Sequence, residues 1–250
     1  MYAIEPEVAA TKKSVMSGKK VTKKSDSTEI QDFLRKVALT PSSKKQAGPG
    51  RLIFCLDATA SRQPTWDRAC QLQGEMFLEA GELGGLEVQL TYFRGFGEFV
   101  AGPWVNNANL LLKGMTGVFC MAGETQIGKV LRHTIKETKT RRVSALVLIG
   151  DSIEEEIDKL GVSAGELGIL GVPMFIFQEG VDRVAEYGFS QLAKLTGGAH
   201  CRLDQMSAAH LREFLGAVAV FGAGGQKALE DYGQRKGGSV LQIAKQLKGS

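Results

Sequence analysis

At residue 51 the chain changes character: Leu52, Ile53, Phe54, Cys55 and Leu56 form an unbroken apolar run. A strand covered on both faces of a parallel sheet has this pattern. From there, helical and strand-like periodicity alternate. Residues 64–80 read as a helix, 86–93 and 98–104 as strands, and 108–113 as a short helix. A second round follows, with helices at 126–136, 154–160, 181–195 and 208–221 and strands at 143–149, 172–177 and 200–203. Alternation of this kind predicts an α/β domain over 51–222, with a doubly wound, mostly parallel central sheet flanked by helices on both faces in the Rossmann-like manner.

The flanks have a different pattern. Asp26 and Glu29 have the spacing of a helix-capping pair, and Ile30, Phe33, Leu34 and Val37 then fall on one helical face. Pro, Gly, Ser and Lys dominate 42–50, as in a linker. After residue 221, Gly222, Ala223, Gly224 and Gly225 break the periodicity, and Val240, Leu241, Ile243, Ala244 and Leu247 suggest a last amphipathic helix. The expected organisation is a flexible basic extension with a short helix (1–50), the α/β domain, and a helical extension (223–250).

Composition places the chain among globular proteins and charge locates its exception. Of 250 residues 43% are hydrophobic, and the net charge is +4. Residues 1–50 hold 10 of the 31 basic residues and 5 of the 27 acidic ones, leaving the rest nearly neutral at 21 against 22. Lys12, Lys13, Lys19, Lys20, Lys23 and Lys24 lie among small polar residues that cannot offset the entropy of ordering. No aromatic residues interleave these lysines, so no nucleic-acid function is expected. Apolar stretches fall short of the roughly 20 residues a membrane span requires, and Met1 is not followed by a basic-then-apolar leader, so a cytoplasmic protein is expected. Cys55, Cys70, Cys120 and Cys201 show no metal-like grouping and read as small reduced core residues.

Functional groups of open α/β sheets collect at the carboxyl ends of the strands. The first strand runs into Asp57, Thr59 and Ser61, a carboxylate and two hydroxyls from alternate residues. Hard cations such as Mg²⁺ take oxygen ligands of this kind. Thr125 precedes the helix at 126–136, and the strand 143–149 leads into Asp151. Any one of these residues alone reads as a turn or cap residue; the ordered set points to a metal. Glu154, Glu155 and Glu156 follow, where acids favour a helix start. They would otherwise repel an acidic ligand. His133, His200 and His210 are scattered without ligand spacing.

The set Asp57, Thr59, Ser61, Thr125 and Asp151 resembles the metal-ion-dependent adhesion site (MIDAS) of von Willebrand factor A (VWA) domains, whose pattern is D-x-S-x-S, a lone threonine and a later aspartate. The resemblance covers about residues 51–222. Thr59 stands where the family usually has serine, and Ser152 where a glycine commonly follows the last aspartate. The resemblance implies an Mg²⁺ site (Mn²⁺ or Ca²⁺ as substitutes) with one position open to a partner's carboxylate. It also implies an intracellular, bacterial adaptor and not an enzyme, with a AAA-type ATPase as partner class. Two enzyme patterns come close. The acidic loop after Asp151 looks like that of haloacid-dehalogenase-like phosphatases, with Asp57 as nucleophile, but Thr59 has no carboxyl to act as general acid. Gly123 to Lys129 has phosphate-loop spacing, but Val130 stands where Ser or Thr is needed.

Overall fold

The computed structural model describes residues 49–65 and 86–202, together with Asp32, Arg35, Lys36 and Ala217. Six strands form one sheet: β1 (Gly50–Asp57), β2 (Leu86–Arg94), β3 (Glu98–Val105), β4 (Ala145–Gly150), β5 (Met174–Gln178) and β6 (Ala199–Arg202). Their order is β3-β2-β1-β4-β5-β6, with β3 antiparallel to β2 and every other pair parallel. Among residues 86–202 four α-helices are interleaved with the strands: α1 (Ala108–Thr116), α2 (Ile127–Thr140), α3 (Ile157–Ile169) and α4 (Arg183–Thr196). A 3-10 helix (Ala60–Thr65) follows β1. The architecture is the expected doubly wound α/β fold. Of the helix expected at 64–80 only residues 64–65 are described, as the end of the 3-10 helix, and of that expected at 208–221 only Ala217, which is helical and buried; the helix expected at 240–247 and the linker before residue 49 lie outside the described residues. Asp32, Arg35 and Lys36 are helical, within the short helix expected near 30–37.

The sheet is buried because its central strands are apolar on both faces. All residues of β1, β4 and β5 are buried. Alternate residues of β2 face different layers. Gln89 hydrogen-bonds His133 of α2 at 2.8 Å, while the Leu90 side chain lies against Gly114 of α1. On the α2 side, Ile53, Cys55, Leu146, Leu148, Met174 and Ile176 pack with Val130, Leu131, Leu160, Phe189 and Leu192 of α2, α3 and α4. Cys55 is a core residue as expected, and burial pushes its thiol up to about 12, which makes it inert at neutral pH. Leu52, Phe54, Leu56, Val147, Ile149, Phe175 and Phe177 form the opposite, equally buried set.

One element differs from its expected bounds, and one connection adds detail. The helix expected at 154–160 is present but starts later and is longer: α3 begins at Ile157 with Glu156 at its N-cap and runs on to Ile169. Glu154 and Glu155 are engaged elsewhere, as shown below. The antiparallel β3 follows a tight turn, in which Gly95 and Gly97 adopt φ values of 59° and 110° that side-chain-bearing residues avoid.

Candidate functional site

Strand order fixes where the site lies. The chain runs outward from β1 through β2 to β3 on one side and through β4 to β6 on the other, so the connections diverge between β1 and β4 and leave a crevice at their carboxyl ends. Asp57 ends β1 and Asp151 follows β4. Leu56 is in register with Ile149, and a Cβ built on Gly150 would lie 3.4 Å from the Asp57 Cβ. Topology thus brings the two aspartates to one point.

Asp57 is fully buried, and its Oδ1 accepts the Thr59 amide at 2.9 Å. Its Oδ2 is buried without a hydrogen-bond partner, and so is Oδ1 of Asp151. Burial pushes the Asp57 carboxyl up to about 7, and the charge of Asp151 adds to this; hydrogen bonds from Thr59 and the charge of Arg62 pull the other way. Thr59 is buried, and its Oγ1 lies 3.1 Å from the Ser61 Oγ at the exposed start of the 3-10 helix. The backbone of Thr59 also forms a parallel bridge with Met121, in the loop leading to Thr125.

Thr125 is buried at the start of α2 and is held by the acidic run after Asp151. Its hydroxyl donates to Glu155 Oε2 at 2.9 Å and accepts the Glu154 amide at 3.0 Å, while its own amide donates to Glu154 Oε2 at 2.6 Å. Glu155 also accepts the amides of Ile127 (3.1 Å) and Gly128 (2.8 Å), so its carboxylate caps α2. The sequence reading placed these glutamates at the start of their own helix. Their acids do sit at a helix N-terminus, but it is that of α2, and Glu155 is a site residue the sequence reading missed. Its signal was present in the acidic run beside Asp151, but the amides it serves are some 28 residues away in sequence.

Arg62 was also missed. Its side chain is fully buried, and Nε and Nη2 meet the Glu179 carboxylate at 3.1 and 3.2 Å. Glu179 follows β5 and donates its amide to Gly150 O at 2.9 Å. This pair ties the loops after β1, β4 and β5 together beneath the crevice. The two described histidines play no part in it: His133 and His200 bond to Gln89 and Gln178 as structural residues.

The chemistry of this donor set fits a hard cation. Two buried carboxylate oxygens lack donors, and three hydroxyls stand nearby in the chain segments that converge on them. A hydroxyl has one proton and two lone pairs, so Thr125 keeps one lone pair after its bonds to Glu154 and Glu155. Among the described residues no group of three or more His, Cys, Asp or Glu side chains forms a metal site, so a cation here would draw on the hydroxyls as well.

No family model and no curated protein matches the sequence. Solved structures do share its fold. Von Willebrand factor type A from Catenulispora acidiphila is 13% identical with a TM-score of 0.57, over 71% of this chain and 43% of that one. The SpRpn10 VWA domain is 11% identical with a TM-score of 0.52, over 62% of this chain and 88% of that one. An aerotolerance-related membrane protein from Bacteroides fragilis NCTC 9343 is 15% identical with a TM-score of 0.54, over 66% and 96%. At such identity the likeness concerns architecture alone. With six strands in this order and helices on both faces, the chain has the doubly wound, Rossmann-like fold of von Willebrand factor A domains.

Proposed function

We propose that Asp57, Thr59, Ser61, Thr125 and Asp151 hold a divalent cation, Mg²⁺ or in its place Mn²⁺ or Ca²⁺, and that the chain uses it to dock a carboxylate of a partner protein. The observation that carries this reading is the pair of buried carboxylate oxygens, Asp57 Oδ2 and Asp151 Oδ1, left without donors. A buried carboxylate oxygen without a donor is expensive: the group either takes up a proton, as the raised Asp57 carboxyl does in the metal-free fold, or is compensated by a cation. The nearby Arg62 is paired with Glu179, so its charge is shared with another acid. When bound, the cation supplies an electrophilic point that a partner's carboxylate can complete. The residues of this chain position it, neutralise it in part and keep bulk water from its buried side.

On this reading the chain is an adaptor of the cytoplasm, of bacterial type, and not an enzyme. The resemblance of its motif suggests a AAA-type ATPase as the partner class. Among the described residues no helix is long and apolar enough to cross a membrane. A phosphatase using Asp57 and Asp151 would need an acid where Thr59 stands, so no metal-dependent turnover of phosphate esters is expected. Affinity purification of the wild type and of Asp57→Ala, each in Mg²⁺ and in EDTA, tests the proposal. Partners retained only by the wild type in Mg²⁺ support it; retention equal in all four conditions refutes it.

A further inference from the structure

Beside the crevice, the protein exposes large apolar side chains on a backbone built to be rigid. Phe96 is 83% exposed, Phe119 60% and Met121 37%. Phe96 sits at the tip of the β2–β3 turn between the two glycines of positive φ. That turn is fastened from several sides. Gln126 Nε2 donates to Arg94 O at 3.1 Å and Gly95 O at 3.3 Å, Lys129 Nζ to Gly97 O at 2.6 Å, and the Glu124 amide to Gly95 O at 3.2 Å. The approach is so close that a Cβ on Gly123 would fall 2.1 Å from Gly95 O. The Phe119 ring lies 4.0 Å from the Arg94 guanidinium, which also donates to Phe119 O. Met121 covers Gly95, donates its amide to Ala58 O at 2.9 Å and pairs in the bridge with Thr59. The apolar shelf is therefore continuous with a candidate cation ligand and is tied to the helix that starts at Thr125.

We infer that Phe96, Phe119 and Met121 form the second half of the docking site, and that the partner segment carries a large aromatic or aliphatic side chain next to the acid that reaches the cation. This inference rests on the cation reading above. The acid is selected by the cation, which a carboxylate completes; along the shelf Lys129 Nζ adds positive charge beside Gly97, while Arg94 is paired with Glu98 at 2.8 Å and holds the Phe119 ring in place. Aromatic side chains held by a fixed turn lose little entropy on binding, and a methionine between them adapts to varied shapes. Burial of one such partner side chain stabilises a complex by about 1.5–3 kcal/mol, or tenfold and more in affinity.

The test is a random-sequence peptide library displayed on phage and selected against the full chain in Mg²⁺, with Phe96→Ser/Phe119→Ser, Phe96→Leu/Phe119→Leu and Asp57→Ala in parallel. The expected peptides share an Asp or Glu adjacent to Phe, Trp, Leu or Met and are released by EDTA. Synthetic copies should bind the double serine variant about tenfold more weakly and the double leucine variant nearly as well as the wild type. Peptides that share only the acid, or that bind the serine variant as well as the wild type, overturn the shelf and leave the cation reading intact. Binding indifferent to EDTA and to Asp57→Ala overturns the cation reading itself. Recovery of no peptide counts against the shelf. The same holds if the wild type floats with phosphatidylserine–phosphatidylcholine vesicles in a Phe96-dependent way, since the shelf then inserts into lipid. A wild-type dimer by sedimentation that the serine variant makes monomeric assigns the shelf to a second copy instead.

Discussion

Asp57 combines two properties that conflict in a purely structural residue: it is fully buried and one of its oxygens has no donor. Its carboxyl is raised from an ordinary 3.8 to about 7, so the metal-free fold holds a proton that the unfolded chain gives up more readily. The stability linked to that proton is complete below about pH 4 and is lost as pH rises through 7. Asp57→Asn should therefore melt higher than the wild type at pH 8 in EDTA, by an amount of order 1–3 kcal/mol that vanishes near pH 4. His200 runs in the opposite direction. Burial first, then the charges of Lys36 and Arg202, lower it from 6.5 to about 4. The unfolded chain binds this proton more tightly, so stability is complete above about 6.5 and is lost as pH falls towards 4. Partial exposure moderates the effect to about 2 kcal/mol, and His200→Gln should flatten it in urea titrations between pH 7 and 4.5. Neither shift was visible in the sequence, because each depends on which strands bury the residue.

At the scale of elements, the central strands and the carboxyl-edge loops were legible, since continuous apolar runs ending on Asp57 and before Asp151 carry their own signature. The start of α3 was not. Three consecutive glutamates satisfy the local rule for a helix start, yet two of them serve the N-terminus of α2, a contact with no periodicity to reveal it. That contact sets the position of Thr125. Glu155→Ala leaves the amides of Ile127 and Gly128 and the Thr125 hydroxyl without their acceptor, and should cost about 1–3 kcal/mol. Hydrogen exchange should quicken first at the beginning of α2. If the amides of 127 and 128 stay as protected as in the wild type, the cap is dispensable. The β2–β3 turn was similarly half-legible. Glycines at 95 and 97 mark a turn, but only the packed loop at 119–124 explains why Phe96 is held outward.

For the molecule as a whole, the sheet order decides the rest. Asp57 and Asp151 meet because β1 and β4 are neighbours, although they lie 94 positions apart in sequence, and the Arg62–Glu179 pair joins the loops of β1 and β5 across the same edge. Removing the carboxylate takes a close charged partner from a fully buried guanidinium, so Glu179→Ala should cost about 1–3 kcal/mol in chemical denaturation, and more than Glu179→Gln. An equal, small effect of both would mean the pair is not structural. The cation itself is tested most directly by thermal melting of the full chain in EDTA and in increasing Mg²⁺. A ligand that binds only the folded state stabilises it by mass action, by about 2.7 kcal/mol at a hundredfold excess over Kd, and so raises the melting temperature. The wild type should rise with Mg²⁺, while Asp57→Asn should start higher in EDTA at pH 8 and not respond. A wild-type curve unchanged at millimolar Mg²⁺, Mn²⁺ and Ca²⁺ would contradict the account.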